Sequence, residues 1–215
     1  MRRAPGYWLR PPGPVAKGLR IGLLGGSFNP PHEGHIHVSE AALQRLGLDY
    51  VWWLVAPQNP LKSARETAPL DIRLTLARRL VHARRVIVSD VERALGTRYT
   101  VDTLQALTQR FPELRFIWLM GSDNLAGFHR WRRWPEIVAC LPIAVVMRPD
   151  TTLAPLYAKA LQRFRHARKK SVRGFLRAQA PAIVVVGGRR NPQSSTALRA
   201  KLGASVGAGN FAVVY

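Results

Sequence analysis

Six short apolar runs punctuate the chain: LRIGLLGG (19–26), YVWWLVAP (50–57), RVIVSD (85–90), RFIWLMGSD (115–123), PIAVVMRP (142–149) and PAIVVVGG (181–188). They are rich in β-branched and aromatic residues and bounded by Gly, Pro or Asp, the signature of strands. Their apolar character is continuous rather than alternating, as in strands buried on both faces of a parallel sheet. Between them, His35–Leu46, Leu70–Ala83, Val101–Phe111 and Trp134–Leu141 read as helices. Ile36, Leu43 and Leu46 have helical spacing, as do Val101, Leu104 and Leu107. Alternation of strands and helices predicts an α/β fold: a doubly wound, mostly parallel, Rossmann-like sheet with helices on both faces. Such sheets bind ligands beyond the carboxyl ends of their strands, near the point where strand order reverses. The residues that follow each apolar run are therefore the first place to look for chemistry.

The 215 residues suit one domain with short appendages. The first eighteen, MRRAPGYWLRPPGPVAKG, are basic and Pro/Gly-rich without the apolar core of a secretory signal. They are expected to form a flexible extension over 1–18, ahead of a single domain over 19–202 and a tail over 203–215 with no assigned role. No apolar run approaches the roughly 18 residues of a membrane span. The sole cysteine, Cys140, permits neither an internal disulfide nor a cysteine-based metal cluster and suits a reducing cytoplasm. With 33 Lys+Arg against 12 Asp+Glu the formal charge is +21. That excess attracts polyanions, whether nucleic acid, acidic membrane or phosphorylated small molecules, without choosing among them.

Leu153–Ala180 carries an apolar stripe of Leu153, Leu156, Tyr157, Ala160, Leu161, Phe164, Val172 and Phe175. Arg163, Arg165, Arg168, Lys169, Lys170 and Arg173 give it a basic side. The expectation is an amphipathic helix packed on the sheet with a solvated basic face, interrupted at Gly174; a nucleic-acid or membrane site is the alternative.

GGSFNPPHEGH (25–35) links the first apolar run to the first helical segment. Gly25 and Gly26 let backbone approach a ligand closely, and the N–H groups of a turn and helix start favour phosphate. Gly34 removes a side chain between His32 and His35, so both imidazoles can face one anionic group and donate to it. His37 reads as a helix-surface residue. A zinc-protease helix needs histidines four apart, but position 36 is Ile36. Gly22, Gly25 and Gly26 do not make G-x-G-x-x-G, and no G-x-x-x-x-G-K-[ST] occurs.

The stretch closely resembles the GG[ST]F[DN]P-x-H-x-GH signature of adenylyltransferases in the nucleotidyltransferase α/β superfamily. Class I aminoacyl-tRNA synthetases share a related H-x-GH element, but they are much longer and carry a second, lysine-bearing signature that is absent here. The adenylyltransferases' second element, typically ISST-x-IR, is matched by QSSTALR (193–199), with Gln193 in place of Ile and Ala197 in place of the usual acidic residue. Ser194, Ser195 and Thr196 can cap a helix and offer hydroxyls to phosphate, and Arg199 can bind triphosphate.

Three further stretches resemble the bacterial nicotinate-mononucleotide adenylyltransferases: APQNPLKS (56–63), RYTVDTL (98–104) and FIWLMGSDNLAGFHRWRRW (116–134). By that resemblance Tyr99 and Thr100 lie near the nicotinate carboxylate, and Trp131 stacks on the pyridine ring. Asp123 matches the acidic residue of GxD, Asn59 lies on the acceptor side and Lys62 faces triphosphate. Gly25, Gly26, Ser27, Phe28 and Gly34 line the ATP side, with His32, His35 and Arg199 as the catalytic groups. Trp134, beside Pro135, reads as core.

The implied reaction transfers AMP from ATP, accompanied by Mg²⁺, to nicotinate mononucleotide, giving deamido-NAD and pyrophosphate. The acceptor phosphate is already ionised, so no general base is required and neither histidine is a covalent nucleophile; the task is to juxtapose polyanions and stabilise the departing charge. Alternatives are another acceptor (nicotinamide mononucleotide or phosphopantetheine) or a nucleic-acid-binding module on a degenerate nucleotidyltransferase fold. Tyr99, Thr100 and Trp131 argue against phosphopantetheine, which has no ring to stack. Intact HEGH and SSTALR argue against a pure binder. Neither a membrane nor a specific nucleic acid is expected as partner, and the oligomeric state stays open.

Overall fold

In the computed structural model, which describes residues 10–57, 67–147 and 158–187, each of the six apolar runs is a strand. They are β1 Arg20–Gly26, β2 Tyr50–Val55, β3 Val86–Ser89, β4 Arg115–Gly121, β5 Ile143–Val146 and β6 Ile183–Val186. All neighbours run parallel, in the order β3-β2-β1-β4-β5-β6. The order reverses between β1 and β4, which is where a doubly wound sheet opens its ligand crevice. Gly26 lies beside Val55, and Leu24 beside Leu119, so the carboxyl ends of β1, β2 and β4 finish together.

The helices are α1 Glu33–Arg45, α2 Leu70–Leu80, α3 Val91–Leu95, α4 Thr100–Arg110, α5 Ser122–Gly127, α6 Trp134–Cys140, α7 Lys159–Arg163 and α8 Val172–Leu176. Because successive strand side chains point to opposite faces, the sheet separates two cores. Leu23, Trp52, Phe116, Trp118 and Met120 pack with Val101 and Leu104 of α4 and Ile137 of α6 on one side. Leu24, Trp53, Val55, Ile117 and Leu119 pack with Val38 and Ala42 of α1 and Leu74 of α2 on the other. No helix among the described residues is long and apolar enough to cross a membrane.

Two expectations change. The stretch expected as one helix over 153–180 is, from Ala158 onward, two five-residue helices, α7 and α8, with a 3-10 turn at Arg165–Ala167 between them. The break falls at Phe164–Ser171 and not at Gly174, which sits inside α8 and donates its N–H to the Ser171 hydroxyl at 3.1 Å. The described part of the apolar stripe is divided between the two cores: Ala160, Leu161 and Phe164 join one, Val172 and Phe175 the other. A straight helix cannot reach both faces of a sheet. The chain instead wraps the β6 edge, where Lys169 N–H donates to the Ile183 carbonyl at 2.8 Å and occupies part of an otherwise unpaired strand.

The second change concerns the extension expected over 1–18. Of its described residues, 10–18, two touch the domain. Gly13 sits so tightly on Ile87 and Trp52 that no Cβ fits there, and Gly18 N–H donates to the Glu113 carbonyl at 2.9 Å.

Candidate active site

At the end of β1 the chain turns through Ser27–Pro31 and begins α1 with an unusual cap. His32 is the N-cap, and its Nδ1 accepts the Gly34 N–H at 3.0 Å. His35 Nδ1 in turn accepts the His32 N–H at 3.2 Å. This is a reciprocal capping box built from two imidazoles in place of the usual hydroxyl and carboxyl. An Nδ1 that accepts must be bare, so in both neutral rings the proton sits on Nε2, and each ring is a donor on its other side. The ring centroids lie 3.9 Å apart, and His32 is only 3% exposed. Phe28, buried and held at φ 46, stacks on Trp53 at 4.8 Å and lies 4.5 Å from the His35 ring, which fixes the imidazole pair from below. Gly34 contributes a buried N–H to the cap as well as the missing side chain between the rings. His37, expected on the helix surface, is half-buried.

The two glycines that precede this turn meet different neighbours. A Cβ on Gly25 would come within 2.4 Å of the Trp118 ring at Cη2, so that glycine accommodates a tryptophan from β4. A Cβ on Gly26 would meet Phe28 at an ordinary 3.4 Å, so no neighbour among the described residues requires that glycine.

Arg73 was not legible in the sequence as a site residue. It is one of three arginines in α2, yet only 1% of it is exposed. Its guanidinium donates to four main-chain carbonyls: Ser27 at 2.6 Å, Ala56 at 2.8 Å, Pro57 at 2.8 Å and Ala68 at 2.8 Å. Burial holds its pKa below the ordinary arginine value. It ties the turn after β1 to the end of β2 and to the segment leading into α2. Asn29 adds a second tie, its Oδ1 accepting the Ala68 N–H at 3.2 Å.

On the other face, Tyr99 is the N-cap of α4 and Thr100 its first residue, both half-buried. Asp123 lies exposed in the first turn of α5, directly after β4. Trp131 is half-buried, edge-on to Trp118 at 6.2 Å and to Phe128 at 5.4 Å. Trp134 packs edge-on to Phe128 and Phe164, on the core side as expected. Trp118, read from the sequence merely as part of a strand, touches both halves of the site: it roofs Gly25 and abuts Trp131.

Behind α4, Glu92 is 6% exposed. The Thr103 hydroxyl donates to its Oε1 at 3.3 Å, and Thr97 and Thr103 hydroxyls pair at 2.8 Å. Burial pushes the Glu92 carboxyl up to about 7, against the opposing effect of the Thr103 bond.

His32, His35 and Gly26 thus lie at the end of β1 and the start of α1, Tyr99 and Thr100 at the start of the helix that leads back from β3 to β4, and Asp123 and Trp131 in the segment after β4. Asn59, Lys62, Ser194, Ser195, Thr196 and Arg199 lie outside the described residues. Among the described residues no three His, Cys, Asp or Glu side chains converge as metal ligands.

Comparison with known proteins identifies the family of the chain. The cytidylyltransferase-like family model matches residues 23–201. A probable nicotinate-nucleotide adenylyltransferase of Parvibaculum lavamentivorans is 50% identical over 194 residues, covering 89% of this chain and 96% of the relative. One of Caulobacter sp. is 51% identical over 185 residues, covering 85% and 98%. Among solved structures, a Plasmodium falciparum nicotinic acid mononucleotide adenylyltransferase complexed with NaAD superposes with a TM-score of 0.64, covering 87% of this chain and 85% of that one. At 16% identity that likeness speaks for the fold alone. The chain belongs to the cytidylyltransferase-like family, among its nicotinate-nucleotide adenylyltransferases.

Proposed function

We propose that this protein transfers AMP from ATP to nicotinate mononucleotide, releasing pyrophosphate and forming deamido-NAD. The observation that carries the reading is the imidazole capping box just past the end of β1: two rings with centroids 3.9 Å apart, each held through Nδ1 so that its Nε2–H is the donor left for a ligand. An acceptor phosphate oxygen bonds to the α-phosphorus of ATP, the bond from that phosphorus to the bridging oxygen breaks, and negative charge grows on the departing pyrophosphate. His32 and His35 donate to that charge from positions already fixed before substrate arrives, so little reorganisation accompanies the step. Gly26, Ser27 and the turn amides cradle phosphate, and Phe28 buttresses His35. Trp131 stacks on the pyridine ring, while Tyr99 and Thr100 present the positive end of α4 to its carboxylate. Asp123 faces the nucleotide from the end of β4.

From the segments outside the described residues, Asn59 serves the acceptor, and Lys62, Ser194, Ser195, Thr196 and Arg199 serve triphosphate. The donor set is imidazole rather than carboxylate, which fits a Mg²⁺ carried by phosphate oxygens and water, where it neutralises triphosphate charge. The catalytic unit is residues 19–202, and the single cysteine suits a reducing cytoplasm.

The test is pyrophosphate release from ATP with nicotinate mononucleotide, nicotinamide mononucleotide and phosphopantetheine offered in parallel. Turnover with nicotinate mononucleotide supports the reading; turnover with phosphopantetheine alone refutes it. His35→Ala should lower kcat by about 10²–10³-fold. It should leave the far-UV circular dichroism unchanged, since one capping bond contributes only about 0.5–2 kcal/mol. A folded His35→Ala enzyme with wild-type kcat would remove the imidazole pair from the mechanism.

A further inference from the structure

Two consecutive arginines fasten the Trp131 turn to α4. Arg133, the N-cap of α6, adopts a left-handed φ of 52, which is unfavourable for any residue with a Cβ. Its guanidinium reaches Asp102 of α4 at 3.1 Å and grips both carboxylate oxygens of Glu136, at 2.8 and 2.5 Å. Arg132 extends its guanidinium over the Tyr99 ring, 4.7 Å from the centroid. Arg98 lies 5.9 Å from the same ring, at the edge of cation–π range. The arginines thus join the turn that presents Trp131 to the two ends of the first turn of α4, Tyr99 and Asp102.

Stability does not account for this arrangement. The Arg133, Asp102 and Glu136 side chains are 41%, 40% and 49% exposed, and exposed ion pairs add little to folding. A backbone held in an unfavourable region by such pairs is the pattern of a site whose geometry, rather than its stability, is being maintained. Trp131 itself meets Trp118 and Phe128 edge-on, contacts that define its inner side.

We propose that Arg133 and Arg132 form a clasp that sets the width of the acceptor slot between Trp131 and the start of α4, making both of them positioning residues for the pyridine ring. This rests on the adenylyl-transfer reading above. The clasp touches only the acceptor side, so its loss acts on one substrate. Arg133→Gly keeps the left-handed backbone at no steric cost and removes the guanidinium. Arg133→Lys keeps the charge but loses the two-pronged grip.

The experiment measures KM for nicotinate mononucleotide and for ATP separately, together with kcat and the melting temperature, in wild type, both Arg133 variants and Asp102→Asn. In Arg133→Gly the acceptor KM should rise about tenfold to a hundredfold, the scale expected from misplacing a bound reactant by about 1 Å. The ATP KM should stay within about twofold, with melting unchanged, Arg133→Lys intermediate, and Asp102→Asn shifted in the same direction as Arg133→Gly. Equal rises in both KM values, or an unchanged acceptor KM, would overturn the clasp. A wild-type enzyme that releases no pyrophosphate with nicotinate mononucleotide would instead overturn the functional reading on which it stands.

Discussion

Replacing Arg73 with methionine removes a guanidinium that donates to four carbonyls, while keeping much of the aliphatic stem that fills the space between α2 and the strand ends. Hydrogen bonds from a charged donor contribute about 1.5–3 kcal/mol each before the cost of stripping water from the charge. Four of them cannot simply be summed, because taking a guanidinium out of water costs several kcal/mol. Nor do all four acceptors strand equally: the bond to Ala68 is buried, whereas those to Ser27, Ala56 and Pro57 are only partly so, and water can reach these three after the substitution. Arg73→Met should therefore lose about 1–3 kcal/mol, the cost of leaving a buried acceptor such as the Ala68 carbonyl without a partner. Arg73→Lys, which keeps the charge but cannot span all four carbonyls, should lose less. Urea unfolding followed by circular dichroism reads this as a shift in midpoint at constant slope. A methionine variant within about 0.5 kcal/mol of wild type, the range of an ordinary surface substitution, would show that the four bonds are balanced by desolvation and that Arg73 holds nothing in place.

Glu92 should make the fold pH-dependent. Its folded-state value of about 7 lies above the ordinary 4.5, so the folded protein keeps a proton there that the unfolded chain gives up. That contribution is fully present below about pH 4.5, declines as pH rises and is gone above about 7, a change of about 3 kcal/mol at 1.4 kcal/mol per unit. Glu92→Gln should flatten this decline in melting temperature between pH 4.5 and 7; an identical slope in the variant would acquit the carboxyl. Gly25→Ala should cost about 1–3 kcal/mol through overpacking against Trp118, and the double variant with Trp118→Leu should cost less than the sum of the two. Strict additivity of the two unfolding free energies would mean that the glycine answers to something other than that ring.

Much of this architecture was legible because it depends on local patterns. A buried parallel strand needs an unbroken apolar run, and all six runs are strands. The His32–Gly34–His35 spacing is equally local: one turn of helix brings the two rings together, and the caps lie within three residues of each other. The limits appeared wherever a residue's role depends on a partner distant in sequence. Arg73 resembles Arg78 and Arg79 in composition, yet α2 docks so that the first is sealed beneath the turn after β1 while the other two face outward. Gly25 reads as a phosphate-loop glycine until Trp118, 93 positions later, is found to occupy its empty side. The stripe over 153–180 is apolar at helical spacing, but its described residues belong to two cores on opposite faces of the sheet, and no one-dimensional pattern records which face each will meet.

Sequence by itself therefore determined the strand runs, the alternation that makes the sheet parallel and doubly wound, and the imidazole pair at its first turn. These follow from hydrophobic periodicity and short-range backbone geometry. Tertiary structure alone decided which arginine is buried, which glycine has a tryptophan against it, and how Arg132 and Arg133 reach α4. Each of those depends on which side chains meet when strands far apart in the chain become neighbours, and that is settled by packing in three dimensions.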